Sequence, residues 1–139
     1  EEIYGEEIVD AYERKVTSFE SIILINKGEN KFEIEKLPPL AQSIPILASD
    51  TYDINEDGYE DLIVGGNIYN TEVETPRLDN QFALILVSDK NKNYSAIGPD
   101  KSGLYLSGNT KSLKIIDRKN PKLLVANNNS KLEVFELNK

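Results

Sequence analysis

One pattern of strand, polar turn and aromatic residue occurs twice in this chain, about 60 residues apart. Residues 24–32 (LINKGENKF) match residues 86–94 (LVSDKNKNY), and residues 62–67 (LIVGGN) match residues 123–128 (LLVANN) at nearly the same offset. Two matches at nearly one offset indicate an internal repeat, and a repeat of this length limits the fold to architectures built from similar units.

The content of each unit indicates β-structure. β-Branched runs such as residues 22–25 and 62–64 alternate with clusters of Gly, Asn, Asp and Lys, which is typical of short antiparallel strands joined by tight turns. A unit of about 60 residues with about four strands has the size of one β-propeller blade. We therefore predict an all-β, antiparallel β-propeller fragment of about two blades, and a single small β-sandwich is the alternative.

The predicted organisation has three segments. Residues 1–20 form an N-terminal segment, residues 21–80 a first blade and residues 81–139 a second, degenerate blade. Within the first segment, residues 6–15 carry apolar residues at i and i+4 between acidic and basic ends, which favours a short helix, with a linker strand as the alternative. The chain begins at Glu1 without methionine, which we interpret as processing or excision from a longer polypeptide.

Composition excludes several function classes. A net charge of -8 disfavours nucleic acid and anionic membrane surfaces as partners. Without histidine or cysteine the chain has no zinc–thiolate site, thiol nucleophile or histidine base. Catalysis by a carboxylate pair or with the help of calcium needs neither residue, but no sequence pattern indicates it, so we predict that the protein is not an enzyme. The chain has no apolar run long enough for a membrane span, so we predict no membrane insertion.

The acidic loop, residues 53–61 (DINEDGYED), is the strongest functional signal in the chain. Oxygen-bearing side chains stand at every second position before a glycine, so that they can converge on one point. Calcium prefers six to eight hard oxygen ligands. We expect side-chain ligation by Asp53, Asn55, Asp57 and Asp61, and carbonyl ligation by Tyr59.

Two other interpretations of this loop are possible. An EF-hand requires a glutamate at loop position twelve and flanking helices, but that position is Val64 in a β-branched run, so the EF-hand is excluded. An ordinary hairpin turn remains, because Asp-Gly alone is a strong turn signal. Magnesium is less suitable than calcium, since it requires a strict octahedron and retains its waters.

The loop and the residues around it resemble a known family. Residues 53–67, DINEDGYEDLIVGGN, are similar to the calcium-loop core of the FG-GAP or VCBS repeats, which are the blades of integrin-α-like β-propellers. Residues 24–28, 37–38 and 41–45 resemble blades in large surface or secreted proteins of Bacteroidota-type bacteria. The resemblance extends over residues 21–137.

This resemblance implies a propeller fold, structural Ca²⁺ and a non-catalytic role in protein binding, adhesion or scaffolding. The implied location is extracellular or at a bacterial cell surface, including the periplasm and the outer membrane. The alternatives are a glycan-binding, lectin-like module and an accessory domain of a carbohydrate-active enzyme. Closed propellers have four to eight blades, so we expect this chain to belong to a larger polypeptide or to self-associate through exposed blade faces.

The second copy departs from the family pattern. Its counterpart of the acidic loop is residues 117–121 (DRKNP), which has lost the acidic positions and carries cations, so we predict no ion there. Three further groups are weaker candidates for ligand contacts: the asparagine run 127–129, the tyrosines at 69, 94 and 105, and the pair Arg77 and Asp79. For these groups, a turn, strand packing and a solvated linker are the simpler interpretations.

Overall fold

A computed structural model describes residues 11–138 of the chain. This part contains short strands, one short α-helix and one 3₁₀ helix. The strands are β1 (Ile22–Asn26), β2 (Phe32–Lys36), β3 (Ala48–Tyr52), β4 (Asp61–Gly65), β5 (Ala83–Ser88), β6 (Tyr94–Ile97), β7 (Thr110–Ile116), β8 (Lys122–Asn127) and β9 (Glu133–Glu136). The helix α1 is Pro99–Ser102, and the 3₁₀ helix is Pro39–Ser43.

The strands form three antiparallel sheets. β1 and β2 form a hairpin, β3-β4-β5-β6 form a four-stranded sheet in sequence order, and β7-β8-β9 form a three-stranded sheet. The prediction of an all-β, antiparallel fold is therefore confirmed for the described residues.

The four-stranded sheet is the middle layer, because both of its faces are covered. One face contributes Ile63, Ala83 and Ile85 to a core shared with β7 and β8, where Leu123 and Val125 are fully buried. The opposite face contributes three residues of β4 and β5 to a second core beneath the β1–β2 hairpin and the 3₁₀ helix: Val64, Leu84 and Leu86. Burial on both faces explains why β4 and β5 are nearly continuous apolar runs.

The two copies of the sequence pattern have the same pairing register. Leu24 pairs with Ile34 across the first hairpin, and Leu86 pairs with Ala96 across the β5–β6 hairpin, so the partner lies equally far along the chain in each. The copies do not coincide with the sheets, however. β4 belongs to the predicted segment 21–80 and β5 to the predicted segment 81–139, yet the two strands pair in one sheet.

Antiparallel connectivity gives the molecule two ends. The acidic loop, the β5–β6 turn and residues 117–121 lie at one end, which we call the acidic end. The β4–β5 connection and the β8–β9 turn lie at the other, which we call the amide end because asparagines are frequent there.

The predicted N-terminal helix lies only partly within the described residues. Residues 6–10 lie outside them, and residues 11–20 have no regular secondary structure. Tyr12 and Val16, two of the apolar positions on which the prediction depended, are largely exposed. A short helix in water needs an apolar face packed against something, and these side chains are not packed. In residues 11–138 no helix has the length and apolar character needed to cross a membrane.

Candidate metal-binding loop and its surroundings

The acidic loop joins β3 to β4, and the pair Tyr52 and Asp61 closes its base. Gly58 has a φ of 91°, in the region that glycine enters without steric cost, which agrees with the sharp turn expected at this residue. Glu56 also has a positive φ, of 58°. These two residues reverse the chain within the loop.

Three side chains in the first half of the loop fold back on its own backbone. The two carboxylate oxygens of Asp53 accept hydrogen bonds from the N–H groups of Asp57, at 3.1 Å, and Gly58, at 2.9 Å. Asn55 Oδ1 accepts from the same Asp57 N–H at 3.0 Å, while its Nδ2 donates to Asp57 Oδ2. Asp57 Oδ1 in turn accepts from Tyr59 N–H at 2.9 Å. The side chains at these three positions thus bond to the same stretch of loop backbone, and their convergence on one ion stays a prediction.

Asp61 lies at the base of the loop and is fully buried. Its Oδ2 accepts from Ile54 N–H at 3.0 Å, and its Oδ1 accepts from Ser88 N–H at 2.9 Å. Ser88 also donates from its hydroxyl to the carbonyl of Glu60. A buried carboxylate needs such donors, and here they tie the acidic loop to the end of β5.

Hydrogen bonds join four of the predicted ligand residues, Asp53, Asn55, Asp57 and, through its N–H, Tyr59, whereas Asp61 is bonded to Ile54 and Ser88 instead. Within residues 11–138, however, no three or more Asp, Glu, His or Cys side chains are grouped so that they could hold a metal ion. The loop also offers an amide and backbone oxygens. A carboxylate has about four lone-pair positions, so an oxygen that accepts one N–H can still face a cation.

A polar network joins the acidic end of the middle sheet to the next sheet. Arg118 donates to Glu60 Oε1 at 3.0 Å and to the carbonyl of Thr51 at 3.1 Å. A hydrogen bond with Thr51 and the guanidinium of Arg118 lower the pKa of Glu60. Arg118, one of the cations in the second copy, therefore offsets the charge of one acidic-loop residue, Glu60.

Asp50 links β3 to β7. Its side chain is only 13% exposed and accepts from Ile115 N–H at 2.6 Å and from Lys114 Nζ at 3.1 Å. Burial on its own would raise the pKa of Asp50, but the hydrogen bonds from Ile115 and Lys114 outweigh it, and the pKa is lowered. Asp50 thus joins the two sheets through a hydrogen bond and an ion pair.

The counterpart loop of the second copy, residues 117–121, is a tight turn. Asp117 has a φ of 50°, and its Oδ1 accepts from Lys119 N–H at 3.3 Å and Asn120 N–H at 3.4 Å. One aspartate therefore caps the turn by itself, as aspartates commonly do. The expectation that this loop binds no ion stays a prediction.

The weaker candidates lie in different places. Tyr94 lines a cleft under the first hairpin, Tyr105 is largely exposed, and Tyr69 is at the amide end, so the three tyrosines do not form one platform. Arg77 and Asp79 do meet Tyr69: the guanidinium lies 4.5 Å from the ring centroid, and the hydroxyl is 3.3 Å from Asp79 Oδ1. Asn127 accepts from Thr110 and donates to Glu133, which is a structural role.

Sequence reasoning missed two residues of the acidic end. Ser88 holds Asp61 from a strand that lies 27 residues further along the chain, and no local pattern marks it. Arg118 was visible as a cation in the second copy, but its contact with Glu60 depends on how the sheets pack. Comparisons with protein-family models, with curated proteins and with solved structures give no match to this chain.

Proposed function

We propose that this chain is a non-catalytic, calcium-binding module of β-propeller type, from an extracytoplasmic protein that serves protein binding, adhesion or scaffolding. The observation that carries the proposal is the acidic loop, in which Asp53, Asn55 and Asp57 turn their oxygens onto one stretch of backbone while Asp61 is held at the base.

The donor set suits calcium. The loop contains hard oxygen donors of three kinds, namely carboxylates, an amide and a backbone carbonyl, and Asp53, Asn55, Asp57, Tyr59 and Asp61 would supply them. Bound calcium would supply positive charge that offsets repulsion between the carboxylates. The N–H groups that now hold these side chains restrict their rotamers, which reduces the ordering that binding requires.

The arrangement of the sheets supports the propeller part of the proposal. A four-stranded antiparallel sheet in sequence order is the pattern of one blade, and here it is packed face to face between two further sheets. The acidic loop joins the first two strands of this sheet. β3 and β7, the first strands of two adjacent sheets, contact each other through Asp50, and contact between equivalent strands supports an arrangement of neighbouring blades.

The outer face of the first hairpin supports assembly into something larger. It carries exposed apolar residues on both strands: Ile22, Leu24, Phe32 and Ile34. A contiguous apolar patch of this kind is typical of an interaction surface. Packing against further blades, from a longer polypeptide or from other copies, would cover it.

A calcium melt tests the proposal. A ligand that binds only the folded state, at about a hundredfold excess over its Kd, stabilises by roughly 2.7 kcal/mol, or roughly 5–10 °C in a domain of this size. We expect calcium to raise the Tm and magnesium to do much less. Asp57→Ala should abolish the calcium response. The matched control is Asp117→Ala in the counterpart loop, which should keep the full response.

Two results would contradict the proposal. A wild-type Tm that is the same in calcium and in chelator would leave the acidic loop as a hairpin turn only. Equal loss of the response in both variants would place the ion elsewhere.

A further inference from the structure

A second candidate site lies at the amide end, on the far side of the molecule from the acidic loop. It is a shallow cleft of about 290 Å³ between the β4–β5 connection, the segment before β7 and the β8–β9 turn. Its lining residues carry amide, hydroxyl and phenol groups: Tyr69, Asn70, Asn109, Asn128, Asn129 and Ser130. These segments are distant in sequence, so only the packing of the two sheets brings them together.

Asn109 is the most informative residue of this cleft. It is 6% exposed, and its Oδ1 is a buried acceptor without a hydrogen-bond donor among the described residues. Buried side-chain oxygens in native proteins are nearly always paired. The main chain of Asn109 is held in place, because its carbonyl accepts from Asn128 N–H at 2.9 Å. Asn109 therefore combines an unpaired side-chain oxygen with a place in the lining of the cleft.

Tyr69 supplies a rigid aromatic ring on the other side of the cleft. Its hydroxyl lies between Asp79 Oδ1, at 3.3 Å, and the carbonyl of Ser107, at 3.4 Å. The guanidinium of Arg77 covers the ring at 4.5 Å from the centroid. Contacts on the hydroxyl and on the ring thus restrain this side chain where it lines the cleft.

We infer that this cleft binds a neutral carbohydrate group of about one pyranose ring. Each sugar hydroxyl both donates and accepts, and the carboxamides of Asn109, Asn128 and Asn129 offer both functions in return. The C–H face of a sugar ring is apolar and can pack on Tyr69. The lining residues are uncharged, which matches a neutral ligand, and the volume is at the small end of the range for ligand sites.

Side-chain amide NMR of the whole chain tests the inference. Neutral methyl glycosides of glucose, galactose, mannose and N-acetylglucosamine serve as probes, each titrated in calcium and again in chelator. For at least one glycoside we expect the side-chain amide signals of Asn109, Asn128 and Asn129 to shift together, with a Kd on the order of 1 mM. Binding should persist in chelator, because the site does not use the acidic loop.

Variants at exposed positions separate recognition from folding. Asn128→Ala removes an exposed amide, and Asn129→Gly does so while preserving the positive φ of 56° at that residue. Each should weaken glycoside binding roughly fivefold, the effect of one lost hydrogen bond, while the rest of the spectrum stays unchanged. The matched control is Asn120→Ala at the acidic end, which should bind as the wild type does.

Three results would overturn the inference. The first is that none of the four glycosides shifts the signals of the cleft. The second is that Asn128→Ala and Asn129→Gly both bind as tightly as Asn120→Ala. The third is that inorganic phosphate shifts the same signals at lower concentration than any glycoside, which would make the cleft an anion site.

Discussion

The two copies of the repeat, β1 to β4 and β5 to β8, share a register but differ sharply in environment. Leu24 and Leu86 occupy equivalent places in their hairpins, yet Leu24 is 56% exposed and Leu86 is fully buried. The second hairpin belongs to the middle sheet and is covered on both faces, whereas the first is an outer layer. The local sequence pattern therefore determines how the strands pair. The position of a hairpin among the packed sheets determines how far its side chains are buried and how much they contribute to stability.

The loops of the two copies differ in the same way. Tyr52 and Ile116 end equivalent strands, and each pairs with the first residue of the next strand, Asp61 in one copy and Lys122 in the other. Asp61 is buried and holds two N–H groups, but Lys122 is partly exposed and forms a 3.6 Å ion pair with Glu136. The acidic loop is thus anchored in the core, and its counterpart is a surface turn.

The largest effect that we expect comes from the equivalent leucines. Leu86→Ala should lower the free energy of unfolding by about 3–4 kcal/mol, because it removes buried methyl groups and leaves a cavity between sheets. Leu24→Ala should change it by less than about 0.5 kcal/mol, since an exposed side chain loses little. Urea denaturation of both variants measures the difference. Similar losses would mean that the outer face of the first hairpin is covered in solution.

The loop anchors should give the next largest difference. Asp61→Ala leaves the N–H groups of Ile54 and Ser88 without their acceptor, at a cost of about 1–3 kcal/mol for the buried Ser88 donor and less for the partly buried Ile54 donor. Lys122→Ala breaks only an exposed ion pair and should cost less than about 1 kcal/mol. Thermal melts in chelator measure the loss of these hydrogen bonds without any contribution from bound calcium. If Asp61→Ala were as stable as Lys122→Ala, Asp61 would not be an anchor.

The smallest effect concerns the contact between the copies, where Asp50 meets Lys114. The pKa of Asp50 is lowered in the folded state, so its contribution to stability is complete above the unfolded pKa, about 3.9, and is lost as the pH falls through the folded pKa. Asp50→Asn keeps an acceptor but loses the charge. We expect Asp50→Asn to lower the free energy of unfolding by about 1 kcal/mol at neutral pH. The difference in this free energy between the variant and the wild type should narrow below about pH 4.

Denaturation at several pH values checks this dependence. Glu136→Gln, which alters an exposed pair on β9, is the control and should cost little at any pH. If the difference in free energy of unfolding between Asp50→Asn and wild type stayed constant from neutral to acidic pH, the charge of Asp50 would not contribute to holding the sheets together.

Much of the local structure could be predicted from the sequence because its causes are local. The alternation of β-branched runs with Gly, Asn and Asp clusters indicates strands and turns, and the same spacing in both hairpins produces the same register. Asp53 and Asn55 both accept from the N–H of Asp57 because short side chains in a tight loop lie within reach of its own backbone donors. These features depend on residues that are close together in the chain.

The grouping of strands into sheets could not be predicted from local sequence patterns. β4 and β5 pair across a connection of 17 residues, 66–82, so the middle sheet draws its strands from two predicted segments. Packing of the sheets then decides that Leu86 is buried and Leu24 is not. It also decides that Ser88 holds Asp61, that Arg118 faces Glu60, and that Asn109 lies in a cleft with Tyr69. Such contacts join residues distant in sequence, and only the folded chain brings them together.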